Sequence, residues 1–226
     1  MNYFALFLNE NSFIEKCILL MRFISNPSTT SRPHITVRLF KVSDSRIEES
    51  MERRFTYLNC IEPGTFNLEK IKPPYVVFLR CESEELEGIE YKPDFPYSRL
   101  HITIYEGEDY VYAKKVYQLL ASEKWHFKLS FDKPRKLTEL TVGIKTYEKP
   151  DFESVFKEVI GEGYQNFLKN YEKNIEIKLK LMEKVLYQLN FYIKSSKVES
   201  VESFYDGVML WREHNDVKQE YRQMRF

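Results

Sequence analysis

A histidine and a threonine stand two residues apart in each of two short apolar segments of this chain. The segments are His34-Ile35-Thr36-Val37 and His101-Ile102-Thr103-Ile104. β-Branched residues fill both, and such residues favour β-strands. Because alternate side chains of a strand point to one face, each histidine should share a face with its threonine. We therefore expect two strands that present two imidazoles and two hydroxyls to one cleft, groups suited to acid/base chemistry on a phosphate.

The composition sets the size and the class of protein. The chain has 226 residues, enough for one ordinary domain plus an appendage or for two small lobes around a shared core. Hydrophobic residues make up 43% and aromatic residues 15%, so global disorder is not expected. The 34 basic residues balance the 34 acidic ones, which argues against binding to duplex DNA but allows a local basic pocket for a small phosphate ligand.

The cysteines and the N-terminal segment bear on localisation. Cys17, Cys60 and Cys81 are odd in number, widely spaced and without a CxxC pair, which fits a reducing compartment. The segment Met1–Glu10 lacks the basic start of a signal peptide. No apolar stretch approaches the roughly 20 residues that span a bilayer. We expect a cytoplasmic protein without membrane association.

Hydrophobic spacing predicts alternating strands and helices in the first part of the chain. The predicted elements are a strand Tyr3–Leu8, a helix Ser12–Ile24 capped by Asn11, the first motif strand Ile35–Phe40, a helix from Ser45 to Leu58, a turn at Pro63-Gly64, and two strands, Phe66–Ile71 and Tyr75–Cys81, joined at Pro73-Pro74. The elements expected next are the second motif strand Arg99–Tyr105, a helix Asp109–Ala121, and strands Trp125–Phe131 and Leu140–Tyr147. Consecutive strands favour mixed or antiparallel sheets over a doubly wound parallel sheet.

The pattern changes to helix alone beyond residue 150. Apolar residues from Leu168 to Ile193 recur in steps of three and four, which predicts a long amphipathic helix. Ser195-Ser196 is expected to break it, with a second helix continuing through Trp211. We therefore predict an α/β protein of the α+β type, with a domain at 1–150 and a helical hairpin or small bundle at 151–226.

The duplicated motif resembles the signature of the 2H phosphoesterase superfamily, which includes 2′-5′ RNA ligase-like proteins and cyclic phosphodiesterases. The resemblance covers about residues 1–150 and rests on the two His-x-Thr-x motifs and on the order of strand and helix around them. It implies a bilobal fold with mixed or antiparallel sheets around a central cleft. It also implies that His34, Thr36, His101 and Thr103 are the catalytic residues.

The chemistry expected of these groups is hydrolysis of a phosphodiester. For a 2′,3′-cyclic phosphate, a neutral histidine takes a proton from water while a protonated histidine gives one to the leaving ribose oxygen. The threonine hydroxyls would donate to the non-bridging oxygens. The resemblance implies that the second motif supplies the base and the first the acid. No cofactor or metal is expected, since the sequence lacks HExxH, paired CxxC and a dense carboxylate cluster.

Further residues near the motifs are candidates for substrate binding. Arg32, Arg38 and Arg99 flank the motifs and could neutralise phosphate, or they could be solvated surface residues. Tyr97 and Tyr105 could stack on a base or reach the phosphate, or they could be packing residues. The loop that leads into the second motif is the expected place for nucleobase contacts.

Two functions from different classes fit the sequence. The first is a metal-independent phosphodiesterase acting on a 2′,3′-cyclic RNA end, a 2′-5′ linkage or a small cyclic nucleotide. The alternative is a non-catalytic protein that binds a nucleotide or RNA end, with the helical tail mediating a partner interaction. The apolar seam of the tail could support self-association, or it could dock within the chain or cap the cleft. The sequence leaves the base preference and the product isomer open.

Overall fold

The computed structural model describes residues 2–10, 12–28, 32–39, 57–82, 100–125, 127–132, 135–137, 151–161, 165 and 174–202. Several expected features lie wholly or partly outside these residues. They are the body of the helix from Ser45, the loop before the second motif, the strand Leu140–Tyr147, the start of the long helix at Leu168 and the part of the last helix between Glu202 and Trp211.

Strands and helices alternate along the described chain. The strands are β1 (Asn2–Phe7), β2 (His34–Leu39), β3 (Tyr57–Phe66), β4 (Tyr75–Glu82), β5 (Leu100–Gly107), β6 (Phe127–Ser130) and β7 (Arg135–Leu137). The helices are α1 (Phe13–Ser25), α2 (Tyr110–Ala121), α3 (Phe152–Ile160) and α4 (Ile175–Glu202). The strand pairs are antiparallel. The fold is therefore mixed α/β of the α+β type, as predicted.

The described strands form two sheets. One has the order β2-β1-β7 and the other the order β5-β4-β3-β6. A single antiparallel bridge between Leu8 and Phe131 links the end of β1 to the residue after β6. The two strands that carry the His-x-Thr motifs, β2 and β5, stand at the ends of these two orders and contact each other. The predicted motif strands thus meet although they belong to different sheets.

Helix α1 begins one residue later than its predicted cap implies. Ser12, and not Asn11, is the N-cap, because the Ser12 hydroxyl accepts a hydrogen bond from the backbone N–H of Glu15 at 3.2 Å. Helix α2 begins as predicted, with the Asp109 carboxylate accepting the N–H of Tyr112 at 2.9 Å. Both helices pack against the sheets and contribute to one apolar core.

The predicted turn at Pro63-Gly64 is wrong, because both residues lie within β3. Pro63 pairs with Leu79 of β4, whereas the pairing of β3 with β6 ends at Cys60. A proline is tolerated beyond that point because none of the described strands pairs with that side of β3 there and needs the missing N–H. Gly64 lies under Phe78, where a Cβ would come within 2.5 Å of the aromatic ring. The glycine is therefore explained by the space that the Phe78 ring needs, and it does not form a turn.

The connection from β3 to β4 also differs from the prediction. The sequence predicts a strand from Phe66 to Ile71, but Phe66 is instead the last residue of β3. A turn follows it, in which Asn67 and Ile71 have φ angles of 63° and 49°. Left-handed backbone of this kind cannot continue a strand. Leu58, expected at the end of a helix, lies in β3 and is buried. β-Pairing overrides the helical spacing at that position.

The C-terminal helices pack on the rest of the chain. Helix α4 contacts α1, α2 and α3, and the buried residues of its seam belong to the same core as α1; they are Leu181, Met182, Val185, Leu186 and Leu189. The predicted break at Ser195-Ser196 is wrong. The two hydroxyls bond to carbonyls three residues back, at 2.9 and 3.0 Å, and the helix continues to Glu202. A separate domain at 151–226 stays a prediction.

None of the helices within the described residues is both long enough and apolar enough to cross a membrane.

Candidate active site

His34 opens strand β2 and is held by its own segment. Its Nδ1 lies 2.8 Å from the carbonyl oxygen of Arg32, so this nitrogen carries the proton and donates it. Phe7, its partner across the β1–β2 pair, places a tilted ring 5.7 Å from the imidazole. The hydrogen bond leaves the lone pair of the neutral ring on Nε2. The residue before a proline favours extended backbone, which suits the entry from Arg32 into the strand.

The surroundings of His34 disfavour its protonation. Burial and then the positive charge of Arg22 lower the pKa of His34 to about 4, with a smaller contribution from His101. The hydrogen bond to the Arg32 carbonyl acts in the opposite direction but is outweighed. His34 is therefore neutral at physiological pH.

His101 lies in β5 on an aromatic surface. Its ring is 4.8 Å from that of Phe78 and 5.4 Å from that of Phe66. Arg80 is its partner across the β4–β5 pair, and Phe78 is the partner of Thr103. Directly paired residues share a face, so one face of the larger sheet carries the second motif together with Phe78 and Arg80. Arg80 forms ion pairs with Glu62 of β3 at 2.5 Å and with Glu82 of β4 at 3.3 Å.

The structure brings the two predicted histidines together. The motif strands contact each other, and the charge of His101 influences the titration of His34. Thr36 and Thr103 each follow their histidine by two residues within the strand and are partly buried. The four residues singled out by the sequence therefore lie on two adjacent strands.

Tyr105 is not part of this face. Strict alternation would align it with His101 and Thr103, but the β4–β5 register shifts between Val77 and Phe78. This bulge pairs Tyr105 with Val77, on the core side of the sheet. Its ring packs against Tyr112 at 5.2 Å, and burial raises the pKa of its hydroxyl. The structure gives it the packing role that the sequence left as the alternative.

The predicted arginines have different positions. Arg32 is buried and forms ion pairs with Glu15 at 2.7 Å and Asp132 at 3.3 Å. Arg38 lies in β2 opposite Tyr3, but its side chain is outside the described part of the structure. The remaining candidates, Arg99 and Tyr97, also fall outside the described residues, so their roles stay predictions.

Sequence reasoning missed Arg22 of α1. Its side chain is buried, with 6% of the residue exposed, and burial lowers its pKa to about 10 despite the charge of Glu106. Its charge reaches His34 from the helix that covers the sheet. A signal was present, because Arg22 is the one charged residue in the otherwise uncharged run Cys17–Ser25. An arginine in such a run must be buried with partners or with a function.

No protein-family model matches the chain, and no curated protein matches it. Within the described residues, no three histidine, cysteine or carboxylate side chains are grouped to hold a metal ion. Metal independence stays a prediction that an assay with a chelator tests.

Proposed function

We propose that this chain is a phosphodiesterase that uses His34 and His101 as a general acid/base pair on a cyclic or 2′-5′ phosphodiester. The observation that carries the proposal is the meeting of two His-x-Thr strands from separate sheets. A single His-x-Thr strand would be an ordinary part of a β-sheet and would indicate no function. Two such strands, with histidines close enough for the charge of one to act on the other, supply the minimum for acid/base catalysis, which needs one group to accept a proton and one to donate a proton.

The hydrogen bonding of His34 favours it as the base. Its Nδ1–H is directed to the Arg32 carbonyl, which leaves the Nε2 lone pair to accept a proton from water. Its low pKa keeps that lone pair present at neutral pH. This assignment is the reverse of the one that the family resemblance implies. His101 would then be the acid that protonates the leaving ribose oxygen.

The reaction balances with these two groups alone. Water attacks phosphorus as Nε2 of His34 takes its proton, and one phosphorus–oxygen bond of the ring breaks. The departing ribose oxygen receives the proton carried by His101, and solvent exchange restores both histidines. Thr36 and Thr103 would donate hydrogen bonds to the non-bridging oxygens, where negative charge accumulates. The buried charge of Arg22 adds a positive potential near His34 that favours an anionic substrate.

The two-sheet arrangement also supports a bilobal fold of the 2H phosphoesterase type, with one motif on each sheet. Near-zero net charge favours a small nucleotide or a short RNA end over a long duplex. A reducing location without membrane attachment remains our expectation, since the cysteines of the described residues are free thiols.

A substrate panel in EDTA tests the proposal. The panel contains 2′,3′-cyclic mononucleotides, a 2′-5′-linked dinucleotide and cyclic dinucleotides, with products identified by chromatography. We expect turnover of at least one compound by the wild type and loss of turnover in His34→Ala and His101→Ala. His214→Ala, a histidine outside both motifs, is the matched control. Binding without product would instead support the non-catalytic alternative, and turnover abolished by EDTA would contradict the metal-free mechanism.

A further inference from the structure

Arg32 is a buried charge with three acceptors from three different parts of the fold. Its Nε donates to Glu15 of α1 at 2.7 Å, and its Nη2 donates to the Leu8 carbonyl at 2.6 Å and to Asp132 at 3.3 Å. Burying a guanidinium is strongly unfavourable unless such partners compensate for the lost hydration. The network therefore fixes the segment before β2 to helix α1, to Leu8 at the end of β1 and to Asp132, the second residue after β6.

The main chain of Arg32 contacts His34 directly, and its side chain lies against the Phe7 ring beside the imidazole. The Arg32 carbonyl accepts the Nδ1–H of the imidazole at 2.8 Å. The guanidinium lies 5.5 Å from the centre of the Phe7 ring, and that ring is 5.7 Å from the imidazole. A backbone hydrogen bond from Leu8 to the Pro33 carbonyl, at 3.3 Å, holds the same segment from the other side. The position of the carbonyl thus depends on where the side chain is anchored.

We propose that Arg32, anchored by Glu15, is a positioning residue that fixes the tautomer and orientation of His34. The proposal rests on the proposed function for its catalytic consequence, but not for its structural content. A backbone carbonyl held against Nδ1 keeps the lone pair on Nε2, whereas an unrestrained neutral imidazole samples both tautomers. Partners that orient a metal-bound histidine are typically worth about 10-fold to 100-fold in metal affinity or activity, and we expect an effect at the lower end of that range for the orientation of His34.

The network also explains why Arg32 need not bind the phosphate itself. Two of its nitrogens are directed at protein acceptors, and 7% of the residue is exposed. Burial alone would lower the pKa of Arg32, but the hydrogen bond and charge of Glu15, with the charges of Asp132 and Glu10, raise it. A guanidinium stabilised in this way by carboxylates serves as a structural anchor.

The test combines spectroscopy with kinetics. Nitrogen-15 NMR of the imidazole side chains reports the tautomer of His34 directly, and it needs no turnover. The variants are Arg32→Lys, which keeps a charge but loses the planar fork, and Glu15→Gln, which keeps the shape but removes the charged anchor. Lys16→Ala is the matched control, since Lys16 follows Glu15 on the same turn of α1 and forms a partly exposed ion pair with Glu158 of α3.

We expect both variants to shift His34 toward the Nε2–H tautomer and to lower kcat about 10-fold, with KM within twofold of the wild type. The control should leave the tautomer and kcat unchanged. If Arg32→Lys and Glu15→Gln do not fold, Asp132→Asn removes the negative charge of the more exposed partner and should shift the tautomer in the same direction.

Two results would overturn the proposal. One is a wild-type tautomer in all folded variants, and the other is a rise in KM at constant kcat, which would make Arg32 a ligand of the substrate. Several charged groups act on His34 and Arg32: Arg22 of α1, His101 of β5 and the carboxylates of Glu15 and Asp132. The pH dependence of kcat in the variants must therefore be compared with that of the wild type at fixed ionic strength. If no substrate is turned over by the wild type, the proposed function fails, while the tautomer measurement still decides the role of Arg32.

Discussion

Arg22 on helix α1 and His34 at the start of β2 interact within the protein, and burial together with the charge of Arg22 lowers the pKa of His34 to about 4. The pair joins a helix to the first motif strand. It also keeps a positive charge beside the histidine and disfavours the protonated imidazole. The lone pair of His34 is therefore free at neutral pH and the charge of Arg22 favours an anionic phosphate, but the lowered pKa also makes His34 a weaker base.

Replacing Arg22 by methionine should therefore raise the pKa of His34. Removing a neighbouring positive charge favours the protonated imidazole, so the acidic limb of the kcat/KM profile should move to higher pH. An NMR titration of His34 measures the same shift without a substrate. An unchanged or lower pKa in the variant would show that Arg22 does not act on His34.

The same histidine should make folding stability depend on pH. The folded-state pKa of about 4 lies below the unfolded value of about 6.5, so the unfolded chain binds more protons between these values. The contribution of His34 is present above pH 6.5 and is lost as the pH falls toward 4. Between pH 7 and pH 5, urea unfolding should show about 2 kcal/mol more loss in the wild type than in His34→Gln. Equal losses would contradict the lowered pKa.

The two threonines should act through their hydroxyls. Thr103→Val removes the donor but keeps the shape, and we expect kcat to fall about 100-fold, the usual cost of one donor to a developing oxyanion. Thr103→Ser retains the hydroxyl and should keep most of the activity. The same comparison at Thr36 tests the first motif. A valine variant that keeps its activity while the serine variant loses it would show that the methyl group, and not the hydroxyl, is what matters.

Gly64 should be required because of Phe78. An alanine Cβ at this position would meet the Phe78 ring at 2.5 Å, and that ring packs against His101. Gly64→Ala should lower the free energy of unfolding by about 1–3 kcal/mol. In the double variant with Phe78→Leu, the smaller side chain should recover part of that loss, measured as a coupling energy in a double-mutant cycle. Strictly additive losses would show that the ring and the glycine do not interact.

The motif strands could be predicted from sequence because their signal is local. His34, Thr36, His101 and Thr103 lie within β-branched runs, and both runs form strands. The duplicated motif already predicts that the two strands share one cleft, but that β2 and β5 belong to two different sheets is implied only by the family resemblance. The local sequence of a strand does not determine which other strand it will contact.

The errors arise where a distant partner changes a local pattern. A bulge opposite Val77 places Tyr105 on the core side of the sheet, and no residue type in the sequence predicts this bulge. Gly64 predicts a turn by its residue type, but in the structure it makes room for the Phe78 ring of the next strand. Arg32 looks like a phosphate ligand beside the motif until the carboxylates of Glu15 and Asp132 are found around it. These partners are distant in the sequence, so spacing alone cannot reveal them.

The rate of 2′,3′-cyclic nucleotide hydrolysis in EDTA, compared among wild type, His34→Ala, His101→Ala and the double variant, tests the central claim most directly. Two groups that act as one acid/base pair are not additive, so each single variant should be nearly as slow as the double variant. His214→Ala should retain the wild-type rate. Turnover that persists in both single variants, or is absent from the wild type across the substrate panel, would contradict a two-histidine phosphodiesterase.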